Sequence, residues 1–310
     1  MTSAPAKPVL ITGASGKLGR VLTKALAAEG WSLRLTDIAA FPDPVPAGAT
    51  FTAADLGDGV TILRLAEGCG AIVHLGGVSV ERPFEEVLGP NIRGLYHIYE
   101  AARREGARVI FASSNHSVGF HERTESLGAD TQFLPDGFYG LSKAYGELMG
   151  RLYWFKHGVE SVFLRIGSCY PEPINNRMLS TWLSYPDFAR LVVRCVVTET
   201  VGCQVIWGAS DNARMTWWRD DARAVVGWAS GDSADPFAGQ LSGKVSGDPV
   251  EERYMGGNFC SLDYSRPVPA PLFSVRPPSP PSPDPGRNGS DPESPAGSGN
   301  TAAPTHRSAE

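Results

Sequence analysis

The sequence predicts an α/β protein built on a doubly wound parallel sheet, with a small C-terminal part and a proline-rich tail. Three observations carry that expectation. Short apolar runs alternate with longer stretches of helical period, the pattern of β-α units in a parallel sheet. The first apolar run opens into a glycine-rich turn and then an amphipathic stretch. Four of the apolar runs end in glycines, acids or hydroxyl residues, at the strand ends where open α/β sheets gather ligands.

Val9-Leu10-Ile11-Thr12 reads as a buried strand. It feeds Gly13-Ala14-Ser15-Gly16-Lys17-Leu18-Gly19, and Val21, Leu22, Ala25 and Leu26 then mark one helix face. Strand, glycine turn and helix form the context that a dinucleotide fingerprint of the Rossmann type requires. Gly13, Gly16 and Gly19 let backbone approach a pyrophosphate, and the helix start offers unpaired N–H groups. An ordinary glycine turn is the bland alternative. Lys17 is followed by Leu18 rather than Ser or Thr, which excludes a Walker A loop.

Ser32 to Thr36 is a second strand ending in Asp37, 18 residues past Gly19. That spacing suits the acid that bonds the adenosine ribose hydroxyls. A carboxylate there repels a 2′-phosphate, so NAD is favoured over NADP, with Lys17 able to soften the preference. Phe51 to Ala54 is a third strand, closed by Asp55-Leu56, and Ala71 to Leu75 a fourth, running into Gly76-Gly77. Phe84 to Glu105 reads as one long helix, with Asn91 placed to bond backbone or water. Arg108 to Ala112 is a fifth strand, ending in Ser113-Ser114-Asn115-His116.

Tyr139 to Tyr153 reads as a helix that sets Tyr139 and Lys143 four apart, on one face. A cation beside a phenol favours phenolate and lowers its pKa. A tyrosine so poised takes a proton from a substrate hydroxyl. Alone, this pair is a weak signal. Ser161 to Ile166 is a sixth strand, Pro186 to Val197 a helix, Gln204 to Trp207 a seventh strand, and Arg219 to Trp228 a further helix. A short helix begins near Pro236. From Ser274 onward nine of 37 residues are Pro and Val275 is the one larger aliphatic, too little apolar surface to offset chain entropy. The expected organisation is a flexible N-terminus (1–8), a dinucleotide-binding domain (9–170), a small substrate-binding region (171–273) and a disordered tail (274–310).

Composition narrows the function. At 310 residues the chain can bury a substantial core, and a net charge of −5 argues against a nucleic-acid groove. No apolar run reaches the about 18 residues of a membrane span. Met1 to Pro8 lacks the apolar stretch of a signal peptide. Five scattered cysteines form no C-x-x-C pair, so neither a metal site nor a disulfide framework is expected, and a reducing cytoplasm fits.

The residues so far resemble the extended short-chain dehydrogenase/reductase superfamily: Thr12-Gly13-x-x-Gly16-x-x-Gly19, Asp37, Asp55-Leu56, Asn91, Ser114 and Tyr139-x-x-x-Lys143. A closer resemblance, covering Val9 to about Trp218, is to the uronate dehydrogenases. It rests on His74 to Glu81, Phe111 to His116, Arg165 to Cys169, Pro171-Glu172-Pro173 and Arg177 to Trp182. Beyond Trp218 it thins to pieces such as Met255-Gly256-Gly257-Asn258-Phe259. The resemblance implies NAD-dependent oxidation of D-glucuronate or D-galacturonate at C1 to an aldarolactone. Lys17, Leu18, Asp37, Asp55, Leu56, Leu75, Gly76 and Gly77 would hold NAD. Tyr139 would be the base, helped by Lys143 and Ser114. Ser79, Ser114, Asn115, His116, Ser168 and Arg177 would line the sugar site, and family analogy adds a homo-oligomer.

The chemistry agrees. A uronate carries a carboxylate, for which a guanidinium offers a bidentate partner; Arg177 is the candidate, with a surface ion pair as the alternative. His116 could instead bond backbone, and Ser79 and Ser168 could be turn residues. Two other functions stand against this one. A sugar-nucleotide epimerase or dehydratase would need more than the about 100 residues between Arg165 and the tail. A non-catalytic NAD-binding sensor would not need both Tyr139 and Lys143.

Overall fold

The computed structural model describes residues 4–219 and 221–267; the tail expected from Ser274 lies outside the described residues. β1 (Val9–Thr12) runs into α1 (Lys17–Ala28); β2 (Leu33–Asp37), β3 (Ala49–Ala53), α2 (Gly59–Ala66) and β4 (Ala71–His74) follow. Next come α3 (Phe84–Val87), α4 (Gly94–Glu105), β5 (Arg108–Ser114), α5 (Phe138–His157) and β6 (Ser161–Ile166). Then follow β7 (Ser168–Cys169), α6 (Met178–Thr181), β8 (Trp182–Leu183), α7 (Tyr185–Val197) and β9 (Cys203–Gly208). The short helices α8 (Arg223–Val226), α9 (Ala238–Leu241), α10 (Pro249–Arg253) and α11 (Asn258–Ser261) close the described chain.

Seven strands form one sheet in the order β3-β2-β1-β4-β5-β6-β9, every pair parallel. This is the Rossmann-type sheet that the sequence predicts. The chain winds outward from β1 to β3, then crosses back to set β4 beside β1. The crevice at that reversal, beyond the carboxyl ends of β1 and β4, is where such sheets bind ligands.

Burial on both faces explains the unbroken apolar runs. Val9, Ile11, Leu33, Leu35 and Val73 pack one way, against Leu22 and Leu26 of α1 and Phe188, Leu191 and Val192 of α7. Leu10, Ile72, Val109 and Phe111 pack the other way, against Ile62 of α2 and Leu95, Ile98 and Tyr99 of α4. Each such side chain contributes about 1.5–3 kcal/mol by leaving water. Beyond Tyr170 the chain returns to this same core through α7 and β9. Among the described residues no helix is long and apolar enough to cross a membrane.

Two expectations need correction. The helix predicted over Phe84 to Glu105 is broken into α3 and α4 by a π-helical segment, Leu88–Arg93. Pro90 lies within it and cannot donate a backbone hydrogen bond; one wide turn accommodates the missing bond. The helix predicted over Arg219 to Trp228 shrinks to α8. Arg219 N instead donates to Leu127 O (2.9 Å) and Ala222 N to Val205 O (3.1 Å). Gly227, at φ 60°, then stops the helix in the left-handed region.

Candidate active site

The nucleotide end is built at the β1–α1 turn. Gly13 has φ +68°, and a Cβ there would lie 2.6 Å from Gly76 N, so only glycine lets the β1 and β4 turns meet. α1 begins at Lys17 with Gly16 as its N-cap and no side-chain cap, which leaves first-turn N–H groups for a ligand. Asp37, at the end of β2, accepts from Ser15 N (3.0 Å) and Ala39 N (3.1 Å). Each oxygen retains a lone pair for a ribose hydroxyl. Uncapped N–H groups, a cradle that a Cβ would fill and a strand-end carboxylate fit a dinucleotide. Lys17 faces a cavity of about 550 Å³ with Arg20, Lys24, Phe41 and Tyr185; Asp37 does not line it.

Asp55 and Leu56 follow β3. Asp55 closes its own turn by accepting from Gly57 N (2.8 Å), and the Leu56 side chain packs within 3.1 Å of where a Gly76 Cβ would sit. Leu18 and Leu75 lean on the core. His74 bonds Thr12 Oγ1 (2.7 Å); burial first, then the Lys143 charge, push its pKa down to about 3, so it is neutral. Gly77 is packed against Asn91, whose amide accepts from Val78 N (2.7 Å) and donates to Val78 O (3.0 Å) and Ser142 Oγ (2.9 Å). The π segment that carries Asn91 thereby ties the β4 turn to α5.

α5 carries Tyr139 and Lys143. Its start is held from a distance: Glu81 accepts from Phe138 N (2.8 Å) and Tyr139 N (2.9 Å), a carboxylate on the positive helix end. Tyr139 and Lys143 are both buried, and Lys143 Nζ lies 5.4 Å from the Tyr139 ring centre and 4.9 Å from that of Phe111. Lys143 has no carboxylate partner among the described residues. The expected depression of the phenol is not what the site by itself produces. Burial pushes Tyr139 up to about 12, with Asp136 adding to the rise and the Ser114 hydroxyl opposing it. Burial also pulls Lys143 down to about 8. Desolvation outweighs the attraction of one ammonium.

A second polar cluster is assembled around Arg177, just ahead of α6. Arg177 Nε donates to Met255 O (2.8 Å) and Nη1 to Ser168 Oγ (3.3 Å). With its amide turned to satisfy both neighbours, Asn115 accepts from Arg177 Nη2 (2.7 Å) and donates to Ile166 O (3.0 Å). One N–H on each terminal nitrogen is left over. No ion pair to Arg177 occurs among the described residues, and burial lowers its pKa to about 10. His116 Nδ1 lies 2.6 Å from Asp136 Oδ2. Its ring stacks on Phe259 (3.9 Å between centres, 15°) and meets Tyr139 edge-on (5.8 Å).

The fold thus gathers Ser114, Asn115, His116, Tyr139, Lys143, Ser168 and Arg177 beyond the ends of β5 and β6. Ser79 makes no hydrogen bond with them among the described residues. Sequence reasoning missed Glu81, Asp136, Met255 and Phe259 as parts of the site. The available hints were the matching runs His74 to Glu81 and Met255 to Phe259. For Asp136 there was none beyond its place just before the Tyr139 helix.

Residues 9–185 match the model of the NAD dependent epimerase/dehydratase family. A uronate dehydrogenase of Pseudomonas syringae pv. tomato is 46% identical over 262 residues, which is 83% of this chain and 94% of the relative. A crystal structure of uronate dehydrogenase from Agrobacterium tumefaciens, a tyrosine variant complexed with NAD, is similar at a TM-score of 0.78. It is 43% identical, and the match covers 82% of this chain and 97% of that one. A glucuronic acid dehydrogenase structure from Chromohalobacter salexigens gives 0.78 at 40% identity, over 82% of this chain and 96% of its own.

Proposed function

We propose a reaction for a chain that belongs to the uronate dehydrogenases, within the NAD dependent epimerase/dehydratase family: NAD-dependent oxidation of hexuronates at C1, giving the aldarolactone. D-glucuronate and D-galacturonate are the substrates. The observation that carries this reading is Arg177. It is spread over Met255 O, Ser168 and Asn115 without a protein carboxylate, next to the Tyr139 phenol's neighbours. A half-buried guanidinium with no ion pair among the described residues is matched to a substrate that brings an anion.

The residues divide the work. Gly13, Gly16, Lys17, Leu18, Gly19, Asp37, Asp55, Leu56, Leu75, Gly76 and Gly77 hold the cofactor. Bound NAD supplies the acceptor for the C1 hydride. Tyr139 removes the proton of the C1 hydroxyl. Ser114 bonds that oxygen and favours the phenolate, and Lys143 sets a positive charge under the ring. Ser79, Asn115, His116 and Ser168 meet sugar hydroxyls, and Arg177 holds the C6 carboxylate. Loss of one proton and one hydride turns the hemiacetal carbon into the lactone carbonyl. On this reading residues 9–170 carry the cofactor half and 171–273 complete the sugar half.

A second copy of the chain is the macromolecular partner. Leu141, Leu148, Leu152 and Phe155 of α5 lie 48%, 55%, 49% and 82% exposed, an apolar stripe suited to self-association. Five unpaired cysteines suit a reducing cytoplasm.

Mixing the protein with NAD and D-galacturonate, then D-glucuronate, tests the reaction. Growth of the NADH absorbance band with at least one of them is expected, and its absence in Tyr139→Phe. No NADH from wild type, despite demonstrable NAD binding, defeats the reading.

A further inference from the structure

Asp136 belongs to none of the motifs, yet the site is built around it. Its carboxylate is buried. Oδ2 meets His116 Nδ1 at 2.6 Å, while Oδ1 is sealed from solvent without a hydrogen-bond partner. Asp136 N also donates to His116 O (3.3 Å), so the two residues are joined twice. Two separate segments give up side chains to admit the carboxylate. A Cβ at Gly119 or Gly256 would overlap it, whereas one at Gly140 would strike the His116 carbonyl first and come within 2.9 Å of Oδ1.

Burying a carboxylate with an empty oxygen is costly unless it serves a partner. Cys260 Sγ reaches Oδ2 only at 3.9 Å; the close partner is His116, at 2.6 Å. Phe259 covers one ring face and Tyr139 meets it edge-on, so the ring cannot turn freely. Nε2 makes no hydrogen bond among the described residues and is not among the polar atoms sealed inside the protein. In a neutral imidazole a carboxylate on Nδ1 requires the proton there and leaves Nε2 as a lone-pair acceptor.

We propose that Asp136 is a positioning residue for sugar recognition, holding His116 in the tautomer whose Nε2 accepts a hydrogen bond from a hydroxyl of the uronate. The proposal rests on the uronate reading of the site. It makes Asp136 act through His116 rather than on the substrate. It also gives Gly119 and Gly256 one common purpose.

The test combines a spectroscopic and a kinetic readout. Nitrogen-15 NMR of the imidazoles in the NAD complex reports the tautomer. The chain has six histidines, and the signal lost in His116→Gln is that of residue 116. Wild type is expected to show Nδ1 protonated and Nε2 bare. Asp136→Asn, whose amide can donate to Nδ1, is expected to populate the opposite tautomer. In kinetics, Asp136→Asn is expected to raise KM for the uronate by about tenfold, the worth of one hydrogen bond, with a smaller change in kcat. In a His116→Gln background the same substitution should add less than about twofold, because contacting residues in one network are not additive.

A proton on Nε2 in wild type overturns the proposal, and does not depend on Asp136→Asn folding. Effects of the two substitutions that multiply, with uronate still turned over, also overturn it and leave the uronate reading standing. Absence of NADH from wild type with either uronate removes both.

Discussion

Arg165 and Glu147 form an ion pair that is cut off from solvent on both sides. Nε and Nη2 of Arg165 each reach Glu147 at 2.9 Å, and Ser113 Oγ donates to the same carboxylate at 2.6 Å. The guanidinium lies 4.9 Å from the Trp207 ring centre and 5.4 Å from that of Phe133. The pair joins β6 to α5 directly behind Ser114 and Lys143. Removing one member leaves an uncompensated buried charge. Arg165→Met should therefore cost about 3–5 kcal/mol, a fall in Tm of roughly 6–20 °C for a chain of this size. Thermal melts of Arg165→Met and of the double variant with Glu147→Leu check this. The double variant should recover much of the loss.

Lys143 should reverse that pattern. Burial lowers its pKa from 10.5 to about 8, so at neutral pH the folded state carries a charge it disfavours. The shift corresponds to a penalty of about 3 kcal/mol at most. The penalty is fully present below pH 8 and fades between about pH 8 and 10.5, as the folded state sheds a proton that the unfolded state keeps. Lys143→Met should thus be more stable than wild type by about 1–3 kcal/mol at pH 7, and the gap should close only above about pH 10.5. The same variant should lose uronate oxidation. Denaturant midpoints across pH, with activity alongside, provide the measurement; a destabilised variant at pH 7 would refute the argument.

Arg177→Lys should raise KM for the uronate by roughly 30- to 1000-fold, or about 2–4 kcal/mol. An ammonium cannot hold Met255 O, Ser168 and Asn115 while presenting a planar fork. NAD affinity, measured by calorimetry without sugar, should change less than twofold.

Asp37→Ser removes the acceptor of two backbone N–H groups, Ser15 and Ala39, and the charge that repels a 2′-phosphate. KM for NAD should rise about tenfold, the worth of one to two hydrogen bonds, and NADP should become usable. Steady-state kinetics with both cofactors decide it.

The sheet was legible because its cause is local. Val9 to Ile11 is apolar throughout since both faces of β1 are covered, and Gly13 is needed where two backbones meet. Tyr139 and Lys143 were legible because four-residue spacing fixes a helix face. Glu81, Asp136 and Phe259 were not, because their roles arise from packing between remote segments. Glu81 reaches Tyr139 across 58 residues of chain, and no periodicity records such a meeting. The π segment was hidden because Pro90 alone does not say whether a helix ends or widens. The phenol's raised pKa was missed because residue spacing gives the neighbouring charge but not the desolvation.

Met255 is made long after Asn115 and Ser168, yet its carbonyl fixes the orientation of Arg177. A growing polypeptide exposes its early segments to folding before the late ones exist. The β1–α1 turn and α5 can therefore settle while Arg177 still swings without its anchor. A translation stall before residue 255 would leave a nascent chain that has the cofactor cradle but an Arg177 without its carbonyl anchor. Dinucleotide capture and sugar selectivity would then mature at different moments of synthesis, in that order.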